Sequence, residues 1–473
     1  MADVDYTAKL LNLYWISPPA GSVPTTRLPL SFLDFLWTIC SPMRRLFFFQ
    51  FPHSTNHFID SVFPTLKHSL SLSLQQFFPL AGNLILPPPP HKPHILYTPH
   101  DSVPLTVTES TGGDFNTLIA DSPRDAKHFY PFVPDLPESR LLPDGSRAIP
   151  NFAIQITIFP NQGLCICIAF HHAVADGMAV HHFLKSWASI YRNGGDSVSF
   201  EGPLPCHDRA AVKDPNGLES IFSRCEYSLS SWDSLWNPVP YKPIIDQAPI
   251  DKVRTTLVLT RPIIEKLKTW VSAESNSDKE LKPLRLSSFI VTCSLVWGCL
   301  IKSTQSEASG SEDEDELCYF VLVADCRNRL KDQIPPTYFG NCLDVGAVVL
   351  RKSELLKRNS TAIVAKAIGK RVEEFESEPF KMAEEWFSLW RACGKAKHFL
   401  SVAGSPKSRT YDTDFGWGRP KKSEVLHVDS SIAISLHESR DEEGGIEIGM
   451  GLHKTQMDRF MTIWEQNLKG LCG

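Results

Sequence analysis

Two adjacent histidines, an aspartate four residues beyond the second, and a glycine make up the run Ala169-Phe170-His171-His172-Ala173-Val174-Ala175-Asp176-Gly177. A neutral imidazole has a pKa near working pH. It can take a proton from a hydroxyl and return it to a leaving group. His172 is the candidate general base. Asp176 can orient that imidazole, as in a triad, or hold the geometry of the loop, and Gly177 permits a tight turn. Two other readings use the same residues. A histidine pair at a strand end can be purely structural. His171, His172 and Asp176 could also ligate zinc in a hydrolase, but neither HExxH nor CxxC spacing accompanies them. Cys165 and Cys167 offer a competing nucleophile, although both stand inside an apolar run that buries them.

The elements around the motif can position it. Phe152 to Phe159 is rich in β-branched and aromatic residues, Pro160-Asn161-Gln162-Gly163 is a turn signal, and Leu164 to Phe170 is a second apolar run. This pattern predicts a hairpin with a buried return strand. Beyond Gly177, Val180, Phe183, Leu184 and Trp187 recur at helical spacing. If the return strand runs on through the motif, His171 and His172 point to opposite faces and His172 faces a cavity.

A second run, Tyr411-Asp412-Thr413-Asp414-Phe415-Gly416-Trp417-Gly418-Arg419-Pro420, lies near the C-terminal end. Its DFG triplet has no Gly-rich loop or HRD segment to support a kinase reading. HxxxDG and DFGWG at this separation resemble the plant BAHD acyltransferase family, which moves acyl groups from coenzyme A thioesters to alcohols or amines. Leu28 to Asp34, Phe78 to Asn83, Ala324 to Arg327 and Tyr338 to Cys342 extend the likeness over nearly the whole chain. Tyr338 to Cys342 and Ser401 to Lys407 look like the subgroup that acylates anthocyanins and other phenolic glycosides.

The resemblance implies an α/β protein of two similarly folded mixed-sheet domains, with a tunnel between them that coenzyme A and acceptor enter from opposite faces. Pattern alone supports a large mixed α/β chain. The resemblance turns Asp176 away from the imidazole to pair with Arg327. A surface arginine is the plain alternative. It gives Asp414, Gly416 and Gly418 a structural role near the coenzyme A channel. Trp417 is either part of that structure or an indole donor at the reacting centre. Gly404 and Ser405 would line the thioester site, with Ser405 as an oxyanion donor. Lys266 and Lys268 on one helix, and Ser287 and Ser288 at the start of another, could meet phosphates. Lysines on an amphipathic helix are equally its solvated face.

The resemblance implies an acyl-CoA-dependent O-acyltransferase acting on a sugar hydroxyl of a flavonoid or other phenolic glucoside. The expected donor is malonyl-CoA, from the subgroup resemblance. A hydroxycinnamoyl-CoA donor is the alternative, and a noncatalytic small-molecule binder is the reading from another class. Arg44 and Arg45 could pair with a malonyl carboxylate, but sequence does not place them in the site. No metal and no permanently bound cofactor is expected.

Bulk properties fit. The 473 residues carry a net charge of −5, which gives no general attraction to nucleic acid or to an anionic membrane. Twelve cysteines without repeated spacing read as reduced core residues. No secretory leader and no apolar window of about 18 residues is evident, so the cytoplasm is expected; a monomer is expected as well. The chain divides into an N-terminal domain over 1–205, a crossover over 206–250 and a C-terminal domain over 251–473. A helix from Ser287, an acidic loop over 306–316 and a hairpin around Arg440 to Gly445 complete the second half.

Overall fold

The two apolar runs flanking Asn161 form the centre of the first sheet. The computed structural model describes residues 6–88, 90–195, 202–214, 216–222, 243–275, 285–305, 315–430 and 433–472. In it Phe152–Phe159 pairs antiparallel with Gly163–Phe170, Phe152 opposite Phe170 and Phe159 opposite Gly163. Asn161 turns the chain at a φ of 60°, a left-handed conformation that asparagine tolerates. Both strands are buried from end to end. The return strand therefore reads as a continuous apolar run, since both faces of the sheet are covered, while Phe152–Phe159 sets buried Gln155 and Thr157 on the face opposite Ile154, Ile156 and Ile158. On the return strand Leu164, Ile166 and Ile168 enter one core, while Cys165 and Cys167 enter another. Burial pushes both thiols up, which removes the thiolate that a cysteine nucleophile needs.

Six strands make this sheet, in the order Ala8–Ile16, Val103–Ser110, Phe152–Phe159, Gly163–Phe170, Met43–Gln50 and Lys422–Val425. A second sheet of seven runs Leu343–Arg351, Leu317–Asp325, His398–Gly404, Ala433–Glu438, Ile446–His453, Lys252–Leu259 and Arg124–Asp125. Both mix parallel and antiparallel neighbours. A small five-stranded sheet sits within the first half. The helix Gly177–Arg192 packs on Phe63–Gln76, whose Phe63, Leu66 and Leu70 are buried together with Phe58 and Val62 ahead of them. Helices Arg261–Ser275, Ser288–Ser303, Ser360–Ser377 and Lys454–Cys472 share a core with the second sheet.

Each half lends a strand to the other's sheet. Lys422–Val425 pairs with Met43–Gln50, and Arg124–Asp125 pairs with Lys252–Leu259. Buried charges fasten both exchanges. Glu424 bonds Arg124 at 2.9 Å and Arg254 at 2.9 Å, and Arg254 also reaches Asp429 at 2.8 Å. Burial opposes ionisation of Glu424, but the two guanidinium groups outweigh it and hold its carboxyl at about 2.

The start of the crossover does not run free over the surface. The Cys206 backbone bridges to the chain at Thr337 and Phe339, Arg209 is buried, and Phe222 packs on Trp386 and Phe387. Residues 223–242 of the expected crossover, and 306–314 of the expected acidic loop, lie outside the described residues. The hairpin near the C-terminal end pairs Ala433–Glu438 with Ile446–His453.

Candidate functional site

The return strand stops at Phe170, and a turn closed by the Val174 amide on the His171 carbonyl carries both histidines. Turn geometry therefore separates the two rings, not the strand alternation expected from sequence. His171 is buried and its Nδ1 accepts from the Ala173 amide at 3.2 Å. Burial brings its pKa down to about 4, so it is a neutral core group. His172 keeps part of its surface accessible, and Trp37 stacks on it at 4.0 Å between ring centroids.

His172 Nδ1 lies 3.0 Å from Asn341 Oδ1. The orientation of that amide is fixed, because Asn341 Nδ2 donates to Asp34 Oδ1 at 2.9 Å and to the His172 carbonyl at 2.9 Å. Oδ1 can only accept, so the imidazole proton sits on Nδ1 and the lone pair on Nε2. Burial is the largest influence on His172 and lowers its pKa; Asp176 and the Asn341 hydrogen bond pull the other way without overcoming it. At neutral pH the ring is thus uncharged, with Nε2 able to accept a proton. Asp34 is fully buried and also accepts from the Ser31 amide and hydroxyl, each at 2.8 Å.

Asp176 does not touch the imidazole. It caps the helix Gly177–Arg192 through the Ala179 amide, and both its oxygens take Arg327, at 2.8 and 3.1 Å. It accepts from the Cys342 amide as well, at 3.1 Å. Arg327 is buried and further donates to the carbonyls of Tyr338 and Gly340. Burial opposes its charge, but Asp176 outweighs that and holds it above the ordinary arginine value. The pair clamps the segment carrying Asn341 against the motif loop, and so positions the amide that holds His172.

The other residues singled out from sequence lie around this centre or away from it. Gly404 ends its strand at a φ of 79°, where a Cβ would come within 2.8 Å of the Leu436 carbonyl. Ser405 turns the next segment, its hydroxyl accepting from the Lys407 amide at 3.2 Å. Asp414 Oδ1 accepts from the Gly416 and Gly418 amides at 2.7 and 3.0 Å, and both glycines have positive φ. Trp417 stacks on Phe415 and packs edge-on against Phe49, Phe51 and Tyr191. These contacts make the DFGWG run a packed turn anchored to the first sheet, and Trp417 a packing residue in it. Lys268 is tied to Glu265 at 2.8 Å, and Ser287 spends its hydroxyl as the cap of the Ile290 amide. Lys266 and Ser288 neighbour them. None of these four has a described contact with His172.

Sequence reasoning missed Asn341, Asp34 and Trp37 as site residues. Asn341 and Asp34 lay within segments noted for their resemblance, and that was their only signal. Nothing local marks Trp37. Among the described residues no cluster of three or more His, Cys, Asp or Glu is arranged to hold a metal, and no helix is long and apolar enough to cross a membrane.

Known proteins share this arrangement of chain. Residues 14–467 match the model of the transferase family. The chain is 38% identical to coumaroyl-CoA:anthocyanidin 3-O-glucoside-6''-O-coumaroyltransferase 1 of Arabidopsis thaliana, covering 98% of this chain and 97% of that one. It is 35% identical to malonyl-coenzyme A:anthocyanin 3-O-glucoside-6''-O-malonyltransferase of Dahlia pinnata, with 96% of each covered. The crystal structure of vinorine synthase superposes with a TM-score of 0.67 over 96% of both chains at 18% identity, which shows a common fold. A family match over almost the entire length, full-length relatives above 30% identity and this fold lead to one conclusion: the chain belongs to the BAHD transferase family.

Proposed function

We propose that this acyltransferase moves an acyl group, malonyl foremost, from its coenzyme A thioester to a sugar hydroxyl of an anthocyanin or other phenolic glucoside. The observation that carries the reading is the fixed tautomer of His172, with Nδ1 committed to Asn341 and Nε2 left as a base. The acceptor hydroxyl attacks the thioester carbon as Nε2 takes its proton. The tetrahedral intermediate then expels the thiolate, which recovers that proton from the imidazolium. Both substrates bind together, so no acyl-enzyme is needed. With both cysteines near the motif buried as thiols, the direct route is favoured over a cysteine one.

The acceptor class is supported by the glucoside acyltransferases that the chain resembles. They divide on the donor, and the coumaroyltransferase at 38% identity favours p-coumaroyl-CoA as a second reading. A panel of malonyl-, acetyl- and p-coumaroyl-CoA against anthocyanidin and flavonol glucosides, read by product mass spectrometry, tests both. Malonylated glucoside as the main product under equal donor concentrations is the expected result. Coumaroylated product would overturn the malonyl assignment, and no acylated glucoside from any pair would overturn the function.

A further inference from the structure

Arg45 stands on the strand Met43–Gln50 opposite Ile168, four residues before His172. Four residues of strand rise and one strand spacing put its Cα within about 15 Å of the His172 Cα. Its guanidinium is surrounded by neutral acceptors drawn from both halves. Nε donates to Ser423 Oγ at 3.1 Å, Nη1 to His181 Nε2 at 2.9 Å, and Nη2 to Thr410 Oγ1 at 3.2 Å and His437 Nδ1 at 2.7 Å. His181 donates from Nδ1 to the Gly177 carbonyl at 2.7 Å, which leaves Nε2 as the acceptor that faces Arg45. The cluster thus hangs from the motif loop at Gly177. On its other side Gly404 stands over His437, where a Cβ would lie 3.5 Å from Cε1. His181, His437, Thr410 and Ser423 are buried, yet Arg45 keeps accessible surface.

Among the described residues no carboxylate comes within ion-pair distance of Arg45. Glu438 acts on it through space, but its Oε1 is taken by the Tyr411 amide. Burial brings the Arg45 guanidinium down to about 10, and it keeps both histidines well below their ordinary value. Two neutral imidazoles orient a cation without neutralising it. A guanidinium enclosed in this way gains more from an arriving carboxylate than a solvated one does.

We propose that Arg45, oriented by His181, His437 and Thr410, receives the free carboxylate of a dicarboxylic acyl donor and thereby selects it over uncharged acyl groups. This rests on the acyltransferase reading above and would explain its malonyl preference. An acyl group that ends in a carboxylate loses its solvation on entry and needs a cation there. An aromatic acyl group would leave Arg45 with only the through-space charge of Glu438.

The test compares malonyl-CoA with acetoacetyl-CoA, its uncharged counterpart of the same size, on one glucoside acceptor. The wild type should favour malonyl-CoA by about 10-fold or more in kcat/KM, and Arg45→Gln should bring that ratio to roughly 1. Should Arg45→Gln fail to fold, His437→Gln loosens the guanidinium and should cut the ratio by about 3- to 10-fold. A wild-type preference that survives these substitutions would overturn the role of Arg45 and leave malonyl transfer standing. A wild type that acylates the glucoside from p-coumaroyl-CoA and does not distinguish the two small donors would overturn the malonyl reading and this inference with it.

Discussion

His172 and Asn341 are joined by two hydrogen bonds, Nδ1 to Oδ1 at 3.0 Å and Nδ2 to the His172 carbonyl at 2.9 Å. The residue that would orient the imidazole in a Ser-His-Asp triad is an aspartate in direct contact. Here an amide does so, and the aspartates stand one step behind it. Asp34 fixes the amide, and Asp176 with Arg327 fixes the segment that carries it. A neutral acceptor holds the one proton on Nδ1 without the full charge by which a carboxylate would favour the imidazolium, so Nε2 remains a base.

Replacing His172 by Ala should lower kcat by about 10²- to 10⁴-fold while circular dichroism and Tm stay near those of the wild type. His171→Ala should instead show mainly as lost stability, since its ring is core. Full turnover by His172→Ala in steady-state assays would rule out the general-base role.

Asn341→Ala should lower kcat/KM by roughly 10- to 100-fold, because the second tautomer and other ring orientations become available. The acid limb of the pH profile reports His172, whose lowered pKa places that limb below the ordinary histidine value. The Asn341 hydrogen bond raises this pKa, so its removal should move the limb to still lower pH. A limb that moves upward, or stays put with full activity, contradicts the assignment.

Arg327→Ala should cost about 3–5 kcal/mol, because it leaves the buried Asp176 without its cation, and Asp176→Ala should cost less, because Arg327 keeps Asp325 at 2.9 Å. The double variant should be less damaging than the sum. Urea denaturation of all four proteins gives the coupling energy, and strict additivity would argue against a direct pair. Activity should fall with stability, since the clamp positions Asn341 and Asp176 also acts on His172 through space.

Glu424→Gln tests the fastening of the exchanged strands. The folded carboxyl is held at about 2, below its ordinary range near 4.3. Its contribution is therefore full above that range and disappears as pH falls through it toward 2. At pH 7 the variant should lose about 3–5 kcal/mol. The stability gap between wild type and variant should narrow steadily as pH is lowered from 5 to 3. A gap that is constant over that window would mean the pair contributes nothing through charge.

The sequence determined what is local. Turn residues between two apolar runs set the hairpin, helical spacing after Gly177 set the helix, and a serine before an apolar run set the cap at Ser287. Each signal spans a few residues, because side-chain periodicity and turn chemistry act over that distance. The sequence also marked His172 and Asp176, through motifs whose members are near neighbours. Only the tertiary structure decided the partners. Asn341 meets His172 across 169 residues of chain, Asp34 meets Asn341 across 307, and His437 meets Arg45 across 392. The four-residue strand Lys422–Val425 joins the first sheet, which no periodicity in so short a segment could assign. Such contacts depend on how the two sheets close on each other and on which buried polar groups then need a donor or an acceptor. Those needs arise only once the chain has folded, so neither the segment likeness at Asn341 nor the basic pair at Arg44 and Arg45 named the partner.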